Sequence, residues 1–234
     1  MTGWYPCCCG DTTFCETTAF TDDFSTVEPK WVLIATKNSN NARTPTLGIK
    51  NDQLEFETFP PHGFAGNQLA GDASRCWKDP GSSTYTRTFA ATITNPSWTP
   101  LVDYSTEIFT VYIGSAFFNL GFGLRAVWSS NQNPIAGSTF YNIFSPGVFL
   151  DIPQAPVVGD VLKVKIDSVS GVITFTALVN DIAIYTRPDV DFVFSFDEGN
   201  HKPRFGVGFD AVERIFRTPT GHVYAMDDAV WGTT

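Results

Sequence analysis

Two carboxylates placed two residues apart on an extended strand share one face, roughly 7 Å from each other, and paired acids can flank a glycosidic bond. The nearest approach to such a set is Leu54-Glu55-Phe56-Glu57, early in the chain. Glu55 and Glu57 alternate there with Leu54 and Phe56, which reads as a strand with solvated glutamates outside and apolar residues inside. Asp189, Asp191, Asp197 and Glu198 form a second acidic region, but Asp197-Glu198-Gly199-Asn200-His201 reads as a polar loop with no second half of a dyad. A Gly-x-Ser-x-Gly elbow, a His-Glu-x-x-His pair and a phosphate-cradling glycine loop are all missing from the sequence. His62, His201 and His222 are too scattered to define a triad or a metal site. The inventory points away from catalysis.

Binding chemistry is better represented. Sugars stack their C–H faces on aromatic rings and give their hydroxyls to amides and carboxylates. Trp77, in Arg75-Cys76-Trp77-Lys78-Asp79, and Trp128, followed by Asn131 and Asn133, supply such a mixture. These four residues are the expected carbohydrate-binding set, although a tryptophan in an all-β domain is also a common core residue. Cys7, Cys8, Cys9 and Cys15 crowd the start while Cys76 stands alone. Three adjacent cysteines point to alternate faces of an extended chain and lack the C-x₂₋₄-C spacing of structural zinc. A free-thiol arm fitted for assembly is the expected state, since a reducing cytosol keeps all five as thiols.

These residues must be positioned by strands. The chain has 234 residues, with 21 Phe, 19 Gly and 15 Pro, and only 17% charged residues. Such a recipe favours sheets and turns over helices. The net charge of -9 argues against a nucleic-acid partner and against an anionic membrane surface. No apolar run is long enough to span a bilayer as a helix, and Met1-Thr2-Gly3-Trp4-Tyr5-Pro6 does not read as a signal peptide, so synthesis in the cytoplasm is expected. Residues 1–19 show neither a period of 2 nor one of 3.6 and read as an N-terminal arm; residues 20–234 read as one domain.

In Leu162-Lys163-Val164-Lys165-Ile166-Asp167 the apolar and charged residues take opposite faces of a strand. Ser170-Gly171 and Asn180-Asp181 turn the chain through 172–179 into 182–186, a three-stranded meander. Further strands are predicted at 31–36, 53–59, 84–94, 107–114, 120–129, 204–210 and 223–231. So many strands imply two packed sheets, because one sheet would leave an apolar face in water. Gly206 and Gly208 alternate with Phe205, Val207 and Phe209, which leaves one face of that strand bare. Either tight packing between the sheets or close approach of a backbone or ligand explains such a face, and the packing explanation is the commoner one.

Thr21-Asp22-Asp23-Phe24-Ser25, the nearby Trp31 and Gly48-Ile49-Lys50-Asn51-Asp52-Gln53-Leu54-Glu55-Phe56 resemble the opening of concanavalin A-like lectin/glucanase domains of the LamG-like jelly-roll type. The meander of 159–186, Arg204-Phe205-Gly206-Val207-Gly208-Phe209-Asp210-Ala211 and Met226-Asp227-Asp228-Ala229-Val230-Trp231 resemble the later strands of that superfamily. The resemblance implies an all-β, two-sheet antiparallel sandwich with first and last strands adjacent. It also implies a possible structural calcium at Asp23 and Asp228; no other cofactor is expected.

The fold hosts lectins, glucanases and non-catalytic modules, so fold alone does not decide function. The expectation is a non-enzymatic recognition and assembly module with a carbohydrate-binding face. It would be a virion component (phage capsid decoration, tail or adhesion) or a surface protein, docked to other subunits through Cys7, Cys8, Cys9 and Cys15, as a homo-oligomer or within a larger assembly. A weak likeness to phage structural proteins supports that setting. A β-glucanase-like hydrolase and a purely structural capsid component stand as the alternatives.

Overall fold

Alternating apolar side chains give each strand an inward face, and the described residues form strands and no helix. In this computed structural model they are 15–25, 31–37, 44–58, 67–96, 105–114, 121–129, 139–196, 202–213 and 223–233. The first strands are β1 (Phe20–Asp22), β2 (Val32–Lys37), β3 (Thr46–Lys50), β4 (Gln53–Glu57) and β5 (Asn67–Cys76). Then come β6 (Tyr85–Pro96), β7 (Ser105–Gly114), β8 (Gly121–Ser129), β9 (Thr139–Ser145) and β10 (Val148–Ile152). The last five are β11 (Val161–Val169), β12 (Val172–Val179), β13 (Ile182–Val190), β14 (Arg204–Glu213) and β15 (Val223–Thr233).

They make two antiparallel sheets. One runs β13-β12-β11-β6-β15-β4-β3, with β1 also paired to β15, and has eight strands; the other runs β10-β9-β8-β7-β14-β5-β2 and has seven. First and last strands are adjacent, with Phe20 opposite Trp231 and Asp22 opposite Ala229. The far end of β15 pairs with β4, Met226 lying opposite Leu54. Between them β15 shifts register against β6, and Asp228 takes a left-handed φ of 51°. This break lets two short strands share one edge of β15.

The core lies between the sheets. Leu162, Val164 and Ile166 enter it from β11, Phe175 from β12, and Phe205, Val207 and Phe209 from β14. Phe205 stacks on Trp231 at 3.9 Å, and Phe56 stacks on Phe209 at 5.6 Å. Leu54 and Phe56 point inward, and the hairpin register sets Glu55 and Glu57 on the opposite face of β4. Glu57 pairs there with Lys50, and Glu55 accepts a hydrogen bond from Asn51.

The N-terminal strip corrects an expectation. Cys15 forms a disulfide with Cys76, so neither is a free thiol and Cys15 is not an assembly residue on a loose arm. The reason is local pairing: the Glu16 N–H donates to the Cys76 carbonyl at 2.8 Å and the Lys78 N–H to the Glu16 carbonyl at 3.0 Å. Glu16 thereby bridges to Trp77 in parallel, which sets Cys15 beside Cys76. Cys7, Cys8 and Cys9 lie outside the described residues.

Buried charge fastens the same strip. Arg75 donates to Glu16 at 2.8 Å and to Asp22 at 3.2 Å, and its guanidinium lies 4.2 Å from the Phe20 ring centroid and 4.6 Å from that of Trp31. Asp22 also accepts from the Trp31 indole N–H at 2.6 Å and the Phe24 N–H at 2.9 Å. A carboxylate removed from water needs such donors.

Candidate binding face on the seven-stranded sheet

Two of the expected carbohydrate-binding residues, Trp77 and Trp128, lie in the core. Trp77 is 1% exposed, packed edge-on against Phe194 and Phe196 at 5.0 Å each. Trp128 points inward from β8 and meets Phe109 at 5.3 Å. Burial of a large apolar ring outweighs any surface role here, so neither ring offers a stacking platform and that expectation is corrected. Asn131 and Asn133 lie outside the described residues, as do His62, His201, His222, Asp197 and Glu198. Asp189 and Asp191 are exposed and separated by the end of β13.

Asp23 and Asp228, the expected calcium residues, are both exposed. Asp23 Oδ1 accepts the Ser25 N–H at 3.0 Å in a turn, a bond that holds its carboxyl below the usual range. Asp227, beside Asp228, is shifted upward by partial burial and by the nearby charges of Asp228, Asp23 and Asp52. Among the described residues no three His, Cys, Asp or Glu side chains gather as a metal site. Asp23 and Asp228 therefore have no third His, Cys, Asp or Glu side chain gathered with them among those residues.

A different surface stands out. On the outer face of the eight-stranded sheet Lys163, Lys165, Asp167, Thr174 and Thr176 are all partly solvated, and Glu55 is the buried exception. The outer face of the seven-stranded sheet carries polar groups most of which are almost fully buried, with Asp72 and Arg204 partly so. Registers across β5, β14, β7, β8 and β9 place Asp72, Ser74, Arg204, Asp210, Thr110, Tyr112, Arg125 and Asn142 on it, opposite to the core-facing Ala73, Phe205, Val207, Phe209, Val111 and Leu124. Ser74 and Thr110 are 0% exposed, Asn142 2% and Asp210 7%. Polar side chains this dry on the outside of a sheet line a recess.

The recess has two clusters. In the first, Tyr112 donates to Asp72 Oδ1 at 2.8 Å, Ser74 donates to Asp72 Oδ2 at 3.0 Å, and Arg204 donates to Ser74 Oγ at 2.7 Å. In the second, the Arg125 guanidinium lies 4.5 Å from the Phe144 ring centroid and 5.4 Å from that of Phe149, while Asn142 donates to Asp151 at 2.7 Å. Asn142 Oδ1 and Thr110 Oγ1 are buried without a hydrogen-bond partner among the described residues. Orphan acceptors and hydroxyls in a recess need water or a ligand.

Gly206 and Gly208 lie on the floor between the clusters, and their bare face turns outward, so packing between the sheets does not explain it. At Gly206 a Cβ would strike the Ala73 carbonyl and lie 2.8 Å from Ser74 Cα, so β14 approaches β5 more closely than any side chain permits. At Gly208 a Cβ would meet Thr110 at 3.5 Å and the Gly71 carbonyl at 3.9 Å, ordinary contact distances, so a small side chain would fit there.

Desolvation by the walls of the recess raises the Asp72 carboxyl from 3.8 to about 6, against the lowering effect of its bonds from Tyr112 and Ser74 and of the Arg204 charge. The same burial pushes the Tyr112 hydroxyl well above its ordinary value. Because the folded state holds the Asp72 proton more tightly than the unfolded state, its contribution is greatest below pH 3.8 and is lost as pH rises through about 6. The cost at pH 8 is on the order of 3 kcal/mol. Asp72→Asn is therefore expected to stabilise the protein at pH 8 by up to about that amount and to flatten the fall between pH 4 and 6. Urea unfolding of both proteins at pH 4, 5, 6 and 8 checks this, and parallel curves would refute it.

No protein-family profile matches this chain, and no curated protein resembles it in sequence. Solved structures do resemble it in shape. An endo-1,3-β-glucanase from Streptomyces sioyaensis superposes with a TM-score of 0.56 at 13% identity, over 93% of this chain and 96% of the other. A structure described as an endo-acting O-glycanase from prominent human gut microbiota that initiates mucin breakdown gives 0.50 at 9% identity, over 93% and 100%. The Lotus tetragonolobus seed lectin gives 0.47 at 12% identity, over 93% and 98%. With the two-sheet topology, the first two likenesses show a concanavalin A-like sandwich, a fold that lectins and glycoside hydrolases share.

Proposed function

We propose that the chain is a non-catalytic carbohydrate-binding domain whose ligand lies along the recessed outer face of the seven-stranded sheet. One observation carries this reading: Ser74, Thr110, Tyr112, Asn142 and Asp210 are polar and dry on that face, whereas Lys163, Lys165, Asp167, Thr174 and Thr176 on the other sheet are partly solvated. A sugar chain brings many hydroxyls, which alternately donate and accept, and suits a recess holding two arginines, a tyrosine, an amide and two carboxylates. Structural neighbours that act on glucan and on mucin glycans support the ligand class.

Within this reading Arg204 is the principal contact. Ser74 holds one of its nitrogens, and the planar fork presents its remaining N–H groups to vicinal hydroxyls. Asp72 acts behind it. Both Asp72 oxygens accept hydrogen bonds from the protein, so it orients Tyr112 and Ser74 instead of offering an open acid to a glycosidic oxygen.

Binding to laminari-oligosaccharides and mucin-type O-glycans, by array and then calorimetry, tests the proposal. Arg204→Ala is expected to weaken binding about 10–100-fold, because a charge-assisted hydrogen bond contributes about 1.5–3 kcal/mol. Lys163→Ala, on the other sheet, is expected to leave affinity unchanged. An array without signal, or equal affinity in the Arg204 variant, removes the assignment. Reducing sugar released by the wild type and abolished by Asp72→Asn would replace binding with hydrolysis.

A further inference from the structure

Strand edges expose unpaired N–H and C=O groups, and soluble proteins guard them with lysine, proline or bulges. Among the described residues the end strands β13, β2 and β3 are guarded. β13 carries Pro188, a left-handed Asp189 (φ 56°) and two register shifts against β12. β2 ends on Lys37 and β3 on Lys50. β10, with the sequence Val148-Phe149-Leu150-Asp151-Ile152, has none of these devices, and among the described residues it is paired to β9 alone. Phe149 is 69% exposed on one face and Leu150 39% on the other. The hairpin is also held in place: Arg187 donates to Ser145 Oγ at 2.9 Å and to the Pro146 carbonyl at 2.6 Å, fixing the turn that leads into β10.

We propose that β10 is a homodimer edge, at which two copies of the chain pair antiparallel about a twofold axis through Leu150 and join their seven-stranded sheets into one.

The residues of β10 are self-complementary in that register. Leu150 meets the Leu150 of the second copy directly, which covers the exposed apolar group on the inner side. On the outer side Phe149 stands across from the second copy's Asp151. The two Phe149 residues become diagonal neighbours about 7–8 Å apart along the backbone, within reach of aromatic side chains. Charge agrees as well. The Arg125 guanidinium lies 5.4 Å from the Phe149 ring centroid, so the incoming Asp151 approaches a cation, and symmetry repeats the contact. Val148 faces the second copy's Ile152 at the mouth of a pocket of about 450 Å³ lined by Phe144, Ser145, Gly147, Val148 and Phe149. A second copy is thus the occupant whose apolar and charged groups all find partners.

Five residues of strand bury less than the roughly 1,000 Å² of a stable interface, so a dissociation constant in the micromolar range is expected. Sedimentation of the full chain from about 5 to 500 µM reads it directly. The wild type is expected to convert from monomer to dimer over that range, while Leu150→Lys stays monomeric with an unchanged circular dichroism spectrum. Leu150→Cys, in a chain with Cys7, Cys8 and Cys9 replaced by serine, is expected to form a reducible dimer through thiols meeting at the axis. A wild type monomeric at 500 µM, as expected if β10 instead accepts a foreign peptide, overturns the proposal. So does a dimer that survives Leu150→Lys, since its contact must lie elsewhere.

Discussion

Arg75→Ala is expected to destabilise the protein by about 3–5 kcal/mol, the cost of leaving buried charges without their partner. Arg75 is 2% exposed and holds Glu16 and Asp22, both of them buried. Removing it leaves two carboxylates in a region where water does not replace the lost donors. It also removes the guanidinium from between Phe20 and Trp31, which adds a cation–π loss of about 0.5–2 kcal/mol. Arg75→Lys is expected to recover only part, because one ammonium cannot match the fork that spans both acids. Denaturant titration at pH 7 measures the loss, and a change under about 1 kcal/mol would show that the charges are not jointly buried.

The position of Arg75 connects stability to the binding face. Successive residues of β5 point to opposite sides of the sheet, so Ala73 and Arg75 face inward while Asp72 and Ser74 face the recess. The strand that displays the Asp72 cluster is clamped from behind by the Arg75 triad. A loosened clamp is expected to show itself as weakened ligand binding before global unfolding.

How legible this was in the sequence depends on the strand. β11, β12 and β13 alternate large apolar with polar residues, and their turns carry Ser170-Gly171 and Asn180-Asp181, with left-handed backbone at all four positions. Such segments declare both their ends and their inward face. β5 declares neither. Asn67-Gln68-Leu69-Ala70-Gly71-Asp72-Ala73-Ser74-Arg75-Cys76 has small or charged residues where a strand pattern requires apolar ones. Packing supplies the reason: a Cβ at Gly71 would lie 2.6 Å from the Phe56 ring, so β5 stays thin where β4 fills the space. Bulk sits on one sheet and its absence on the other, and only the pair is hydrophobic in the expected way.

Because β5 was silent, most of the binding face was silent as well. Asp72 and Ser74 belong to no motif, and Tyr112, Arg125 and Asn142 lie in strands whose outer residues look like ordinary surface. The one available signal was Arg204-x-Gly206-x-Gly208-x-Asp210, a strand face that is polar at its ends and bare in the middle. Tryptophan drew attention instead, and burial took both chosen rings into the core. Counting aromatics finds cores; finding this recess required knowing which strand lies beside which.

Cys76→Ser is expected to cost about 4 kcal/mol, from the loop of 61 residues that the Cys15–Cys76 disulfide closes in the unfolded chain. For a domain of this size the melting temperature should fall by about 10 °C. Cys15→Ser should do the same, and the double variant should be no worse than either, because one bond is lost in all three. Reductant is expected to shift the wild type to the same melting point while leaving the variants where they are. Replacing Cys7, Cys8 and Cys9 by serine should change none of these values; if that triple variant melts like Cys76→Ser instead, the structural pairing of Cys15 is wrong. The bond also reaches the binding face, since Cys76 stands directly across from Arg204 in the β5–β14 register. Without the tether, the end of β5 that seats Ser74 against Arg204 relies on the Glu16 backbone bridge and the Arg75 triad alone. Reduction is therefore expected to weaken binding at a temperature where the fold persists, and calorimetry with and without reductant separates that effect from unfolding.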